Sequence, residues 1–238
     1  MINAIVTGAS SGIGFQTALA LAQNEEIFVI AIARNRDKLL ELKKLSPKNI
    51  NIIQFDLENK SFELIVNQII ENINSFSTNN KINILINNAG ILTNRTFLNQ
   101  TEEDWAKQFD LNFFSNLRLI KSLYPYFEKS KDIGSHIVNI GSMGGIQGAA
   151  KFSGLSIYSA SKSAINSITE SLAVEFLDDN IHVNSINPGS VMTEMFKKAF
   201  PKNSAEISAL QMGKYIADFS VNSAKLFNGR IIEVSLFS

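Results

Sequence analysis

Short, almost unbroken apolar runs alternate with amphipathic stretches along the whole chain. Ile2–Val6 is a β-branched run that ends in a Gly-rich turn. Gly14–Gln23 follows, with Phe15, Ala18, Leu19 and Ala22 at helical spacing. Ile27–Ala33 is apolar throughout and too short for a core helix, so it predicts a buried parallel strand. The alternation then continues with a helix over Asp37–Leu45, a strand over Asn51–Phe55 and a helix over Phe62–Ile73. A fourth strand is expected at Ile82–Ile86, a long helix at Asp104–Phe127 and a fifth strand at His136–Ile140. A second long helix at Tyr158–Leu177, a strand at His182–Ile186, a helix near Glu206–Ser220 and a strand at Arg230–Val234 complete the series. Strands apolar on both faces, separated by amphipathic helices, predict an α/β architecture: a doubly wound parallel sheet of about seven strands with helices on both faces. No linker, repeat or low-complexity tract interrupts it, and the polar patch Ser75–Lys81 reads as a loop. Residues 1–238 are therefore expected to form one domain.

Composition narrows the chemistry. Twenty-two Lys and Arg balance 22 Asp and Glu, which argues against nucleic acid as the main partner. The absence of cysteine excludes disulfides, zinc–thiolate sites, Fe–S clusters and a thiol nucleophile. With two histidines, His136 and His182, at or within strands, a His-rich metal site is not expected, and a packing function suits both. No basic, apolar leader opens the chain, and no run approaches the roughly 20 apolar residues of a membrane span. A soluble, cytoplasmic protein is the expectation.

In a doubly wound sheet the ligand lies beyond the carboxyl ends of the strands, and the unusual residues collect there. Gly8, Ser10, Ser11, Gly12, Ile13 and Gly14 join the first strand to the first helix. Glycines let that turn approach a pyrophosphate whose charge rests on the helix N-terminus. This is the mark of a dinucleotide-binding, Rossmann-type domain, although the spacing is G-x-x-x-G-x-G. At the second strand end stands Arg34, where an acidic residue would select NAD. Arg34, with Arg36 nearby, suits a 2′-phosphate and favours NADP(H) over NAD(H). Ser11 departs from this pattern, since a basic residue there would have strengthened the assignment.

Tyr158 and Lys162 are four apart and share one helix face. A nearby ammonium lowers a phenol's pKa, and such a pair can exchange a proton with a carbonyl or alcohol oxygen. Ser142 after the fifth strand and Asn112 on the preceding helix strengthen that reading.

Together, T7-G-A-S-S-G-I-G14, N87-N-A-G90, Asn112, Ser142, Y158-S-A-S-K162 and N187-P-G189 resemble the short-chain dehydrogenase/reductase family over essentially the whole chain. The resemblance implies an oxidoreductase acting on CH–OH groups with a nicotinamide cofactor and a small-molecule substrate. Tyr158 would be the general acid/base. Lys162 would lower its pKa and bind the nicotinamide ribose, Ser142 would hold the substrate oxygen, and Asn112 would place a water linking Lys162 to solvent. Asp56 and Leu57 would meet adenine, and Asn88, with Ala89 and Gly90, the adenosine ribose side. Pro188, Gly189, Val191 and Thr193 would meet the nicotinamide amide and phosphates. It also implies a homodimer or homotetramer. Phe109, Phe113, Phe114, Leu117, Ile165, Ile168, Leu172 and Phe176 widen the apolar arcs of the two long helices accordingly.

The departures bear on substrate. Ser142 to Tyr158 spans about three residues more than is usual in the family, with the extra length in Gly148–Ser156. The segment from Thr193 to Glu206 is short, so a small lid is expected. No P-L-G-R stretch precedes the last helix, and Glu233-Val234-Ser235 replaces the usual D-G-G. An NADP(H)-dependent carbonyl reductase or alcohol dehydrogenase leads. A 3-oxoacyl-[acyl-carrier-protein] reductase is the alternative; Lys121, Lys129 and Lys131 would help dock an acidic carrier, and Asp178-Asp179 would oppose it. A non-catalytic NADP(H)-binding regulator is a third reading, disfavoured because all four catalytic markers are present.

Overall fold

The computed structural model describes residues 1–59 and 61–236. In chain order its elements are β1 (Ile2–Thr7), α1 (Gly12–Leu21), β2 (Ile27–Ala33), α2 (Arg36–Leu45), β3 (Ile50–Gln54), α3 (Phe62–Phe76) and β4 (Ile84–Asn87). These are followed by α4 (Glu102–Phe109), α5 (Ser115–Leu123), β5 (Ser135–Ile140), α6 (Ser156–Glu175), β6 (Ile181–Pro188), β7 (Val191–Met192), α7 (Glu194–Ala199), β8 (Ile207–Ser208), α8 (Ala209–Asn222) and β9 (Ile231–Val234). Seven strands form a parallel sheet in the order β3-β2-β1-β4-β5-β6-β9, a Rossmann-type arrangement. The strand order reverses between β1 and β4, and the ends of these two strands open a crevice.

Both faces of the sheet are covered. One apolar cluster packs Ala18 and Leu21 of α1, Leu39 and Leu42 of α2, and Met212 and Ile216 of α8 against the strands. The opposite cluster uses Ile65, Ile69 and Ile73 of α3, Leu119 and Leu123 of α5, and Ala173 of α6. This double coverage explains why β2 is buried at all seven positions and reads as a continuous apolar run. Local chemistry sets several boundaries. The Asn35 side chain accepts from the Lys38 amide to start α2, and reciprocal capping boxes start α4 at Thr101/Asp104 and α8 at Ser208/Gln211.

The expected helix over Asp104–Phe127 is instead four pieces. Residues Asp110–Phe114 form a π turn between α4 and α5, and Tyr124–Tyr126 tighten into a 3-10 turn around Pro125, which has no N–H to continue the ladder. The expected strand at Ile82 starts later. The Ile82 amide donates to Tyr126 O, and its carbonyl accepts from Glu128, so the ladder with β1 and β5 begins at Ile84. The helix expected from Glu206 begins at Ala209, because Ile207 and Ser208 pair with Val191 and Met192. α3 continues about one turn past Ile73, to the edge of the polar patch, where Phe76 stacks on Phe28 at 5.1 Å. Among the described residues no helix is long and apolar enough to cross a membrane.

Both histidines lie in the sheet, in register with each other across β5 and β6. Buried His136 stands 3.0 Å from Ser220 O through Nδ1 and 2.9 Å from the Asn184 amide nitrogen through Nε2. Burial holds its pKa down at about 4, so it is neutral near pH 7.

Candidate active site

The crevice beyond β1 and β4 is a cleft of about 430 Å³. One end is lined by Arg34, Asp56 and Leu57, and the other by Ser142, Tyr158 and Lys162. Between them lie the β1–α1 turn, Asn88–Gly90 and the Pro188–Thr193 segment. The fold therefore gathers onto one cavity nearly all the residues singled out in the sequence. Gly14 supports the turn from behind, and Asn112 supports the catalytic wall.

The β1–α1 turn is shaped for close approach. Gly8 and Gly12 have φ of 67° and 57°, a region that L side chains rarely adopt. A Cβ on Gly14 would stand 2.3 Å from Asn88 Nδ2 and 2.6 Å from Gly8 O. Asn88 in turn donates to Thr7 O at 2.9 Å, while Thr7 Oγ1 accepts from the amides of Asn88 and Ala89. These bonds lock the ends of β1 and β4 together. At the start of α1, the Ser11 side chain makes no cap hydrogen bond and the first turn carries no acidic residue. The N-terminal amides of α1 thus face the cleft without an internal anion. This cradle fits a dinucleotide pyrophosphate. Arg34 lies at the rim with its side chain 56% exposed, 3.8 Å from Asp56 and 3.6 Å from Glu58. Lys38 on α2 pairs with Glu194 on α7 at 2.8 Å, joining the Arg34 end of the cleft to α7.

At the other end the catalytic candidates are brought together from separate elements. Ser142 follows β5. Its amide donates to Asn187 Oδ1 at 3.0 Å, and its Oγ accepts from the Gly144 amide at 3.2 Å. That leaves the hydroxyl proton for Tyr158, to which Ser142 is hydrogen-bonded. Tyr158 and Lys162 project from the first turns of α6. Lys162 is 4% exposed and donates to Ile140 O at 2.7 Å, with Nζ 5.9 Å from the Tyr158 ring centroid. The spacing suggested an ammonium that lowers the phenol, yet the ammonium is turned to the β5 carbonyl. Burial pushes the Tyr158 phenol up and the Ser142 bond draws it part of the way back. Burial alone pulls Lys162 down to about 8.

Asn112 sits in the π turn and is fully buried. Its Oδ1 accepts from the Ile91 amide at 2.8 Å, and its Nδ2 donates to Ile91 O and Ser161 Oγ, both at 3.0 Å. It ties the loop after β4 to α6, and the π turn aims it there.

Several contributors escaped the sequence reading. Asn187 anchors Ser142 from the next strand, and Ser161 braces Asn112 from within the Y-S-A-S-K stretch. Phe152, Leu155, Met195, Phe196 and Phe200 complete the cleft. For Asn187 and Ser161 the motifs themselves were the available signal. The cleft-lining apolar residues follow no period that would mark them.

A model of the short chain dehydrogenase family matches residues 3–204. The chain belongs to the short-chain dehydrogenase/reductase family. This short-chain dehydrogenase/reductase is 31% identical over 224 residues to an uncharacterized oxidoreductase of Staphylococcus saprophyticus, covering 90% of this chain and 92% of that protein. It is also 31% identical over 221 residues to a 3-oxoacyl-[acyl-carrier-protein] reductase of Thermotoga maritima, covering 89% and 83%. In fold it matches a short chain dehydrogenase from Shigella flexneri complexed with NADP, with a TM-score of 0.84 at 24% identity, over 98% of this chain and 96% of that one. A Brucella melitensis 3-ketoacyl-(acyl-carrier-protein) reductase complexed with NADH gives the same TM-score at 22% identity and the same coverage. As a member of this family the chain is an oxidoreductase that takes a nicotinamide cofactor.

Proposed function

We propose that this oxidoreductase uses NADP(H) to interconvert a carbonyl and an alcohol on a small organic substrate. The observation that carries the reading is the convergence of Ser142, Tyr158 and Lys162 at one end of a cleft whose other end holds Arg34. When bound, the reduced nicotinamide supplies a hydride, two electrons and one hydrogen, to the carbonyl carbon. The Tyr158 hydroxyl gives its proton to the carbonyl oxygen, and the alcohol results. Ser142, held at its amide and at Oγ, donates a hydrogen bond to that oxygen. Lys162 carries a charge whose proton is easily given up near neutral pH, and it restores the Tyr158 proton. Asn112 positions α6, and with it the Tyr158–Lys162 pair; placing a water beside Lys162 belongs to the same proposal. The β1–α1 turn from Gly8 to Gly14, Arg34, Asp56, Leu57, Asn88, Ala89, Gly90, Pro188, Gly189, Val191 and Thr193 hold the cofactor, as the family resemblance implies.

A panel of ketones, diketones, pterins, quinones and 3-oxoacyl thioesters, followed by NADPH consumption, tests the reaction. Reduction of no member would remove it. For the cofactor, NADPH is expected to bind at least about tenfold more tightly than NADH, or ~1.4 kcal/mol. Arg34→Asp should abolish that preference. Asp56 and Glu58 beside Arg34 compete with a 2′-phosphate and keep the preference modest. Equal wild-type dissociation constants, or an unchanged ratio in the variant, would sink the assignment.

The acyl-carrier reading draws support from the Thermotoga maritima relative. Against it, Lys129 is paired with Asp179 at 2.8 Å, which reduces the basic face expected to dock a carrier. Assembly as a homodimer or homotetramer through α4–α5 and α6 is part of the same proposal. Phe114 in the π turn, Val174 on α6 and Leu177 just after it are exposed, whereas Ile165 is spent on the monomer's core. Light scattering should report a mass of two or four chains at micromolar concentration, and a 26 kDa particle would end the idea.

A further inference from the structure

Beyond Ser142 and Tyr158 the cleft wall is built from Leu92, Met143, Phe152, Leu155, Phe196 and Phe200. These residues come from segments far apart in sequence. Phe152 and Leu155 lie in the extended stretch before α6, while Phe196 is in α7 and Phe200 just after it. The Phe152 ring meets Phe200 edge-on, with centroids 6.0 Å apart at 61°, and Phe196 packs on Phe200 at 5.3 Å. The three rings make one apolar surface that joins the extra stretch to the lid. Both segments are held by the loop after β4: Arg95 donates its amide to Gly154 O at 3.1 Å, and Asn94 Nδ2 donates to Ala199 O at 2.7 Å. The wall is therefore pinned from both sides.

Phe152 nevertheless remains 58% exposed and Met195 39% exposed, and both line the cleft. Concave apolar area left open in this way is the kind that a ligand covers. Charge is missing from the same wall. The charged lining residues are Arg34, Asp56, Lys162 and Glu194. Arg34 and Asp56 stand at the far end, Lys162 is buried on Ile140, and Glu194 is paired with Lys38. Lys151 in the extra stretch donates to the carbonyls of Gly144, at 2.7 Å, and Ile146. Among the described residues, no cation on this wall is free to meet a carboxylate or phosphate, and burying an unpaired anion there would be costly. Phe152 and Met143 also line a second hollow of about 320 Å³, so Phe152 stands between the two spaces and limits the shape of the first.

We propose that Phe152, Phe196 and Phe200 form the specificity wall of this enzyme, selecting uncharged ketones, or the matching secondary alcohols, that bear a flat aromatic substituent. The proposal rests on the carbonyl–alcohol reading above and names its substrate class. The chemistry is unchanged: one hydride reaches the carbonyl carbon and one proton reaches its oxygen from Tyr158. Flat rings suit the wall because aromatic faces and edges pair at centroid separations of about 4.5–7 Å.

Three diketones separate the outcomes: 1-phenyl-1,2-propanedione, its ring 4-carboxylate, and 2,3-butanedione, in which methyl replaces phenyl. Initial rates are measured with NADPH and with NADH. The phenyl compound is expected to exceed butanedione in kcat/KM by about tenfold or more, and the carboxylate to fall below the phenyl compound by a similar factor. Phe152→Ala should lower the phenyl-to-methyl ratio by about tenfold, chiefly through KM, and Phe152→Leu, which keeps the wall apolar, by less. Melting temperatures of both variants verify that they are folded. Reduction of butanedione without preference for the phenyl compound, or a ratio unmoved in both variants, overturns the aromatic wall and leaves the carbonyl reading standing. Reduction of none of the three with either cofactor counts against both.

Discussion

Tyr158→Phe is expected to lower turnover by about 10²–10⁴-fold, the usual contribution of a positioned general acid or base. The change removes one oxygen from a partly buried ring, so the cavity and the cofactor end of the cleft should persist. What disappears is the proton donor, and with it the partner of the Ser142 hydroxyl. Burial raises the phenol in the wild type, so Tyr158 is protonated near pH 7 and ready to act in the reductive direction. Ser142→Ala should also slow turnover while leaving cofactor affinity nearly intact, because Ser142 touches Tyr158, Gly144 and Asn187 rather than the glycine turn. The deciding measurements are turnover, melting temperature and NADPH affinity on the same preparations. A Tyr158→Phe protein that works at near wild-type rate would remove this mechanism from the chain; a Tyr158 that merely packs would lose stability instead.

Lys162→Met is expected to cripple turnover and, in the cofactor-free protein near pH 7, to raise the melting temperature by several degrees. The second effect follows from burial. Lys162 is 4% exposed, and its charge is answered by one carbonyl, that of Ile140. Its pKa of about 8 in the fold lies below the ordinary value of 10.5. Between those values the unfolded chain holds a proton that the folded chain has released, so stability rises with pH across that window. Below pH 8 the folded state carries the full penalty, on the order of 3 kcal/mol at ~1.4 kcal/mol per pH unit. Methionine removes the charge, so its advantage should be largest below pH 8 and shrink toward pH 10.5. A penalty of that size corresponds to several degrees in a domain of this length, at roughly 2–4 °C per kcal/mol. Thermal melts of both proteins from pH 7 to 10.5 test this. A variant no more stable than wild type at pH 7, or an advantage independent of pH, would contradict the assignment. The gain would also mean that the lysine is retained at a cost in stability, as chemistry rather than packing requires.

The order of strands and helices could be read along the chain because a parallel sheet covered on both faces leaves a local imprint. Ile27–Ala33 is apolar at every position, since neither face of β2 meets water. The glycine turn was legible for a related reason: left-handed backbone at Gly8 and Gly12, and the close approach at Gly14, tolerate little else. The Tyr158–Lys162 pair was visible because four residues make one helical turn. Other features depend on neighbours distant in sequence. The π turn at Asp110–Phe114 keeps the apolar spacing of an ordinary helix, and its purpose appears only when Asn112 meets Ile91 and Ser161. Arg34 carries no local sign that Asp56 and Glu58 will sit beside it. Lys162 looked like the partner that lowers Tyr158, until packing turned its ammonium toward Ile140 and withdrew water from both groups. Phe152, Phe196 and Phe200 lie in or beside short connections without a period of their own. Periodicity records which face of a regular element is buried; the contacts between separate loops, and the desolvation that sets each pKa, arise only once the sheet has closed and brought its strand ends together.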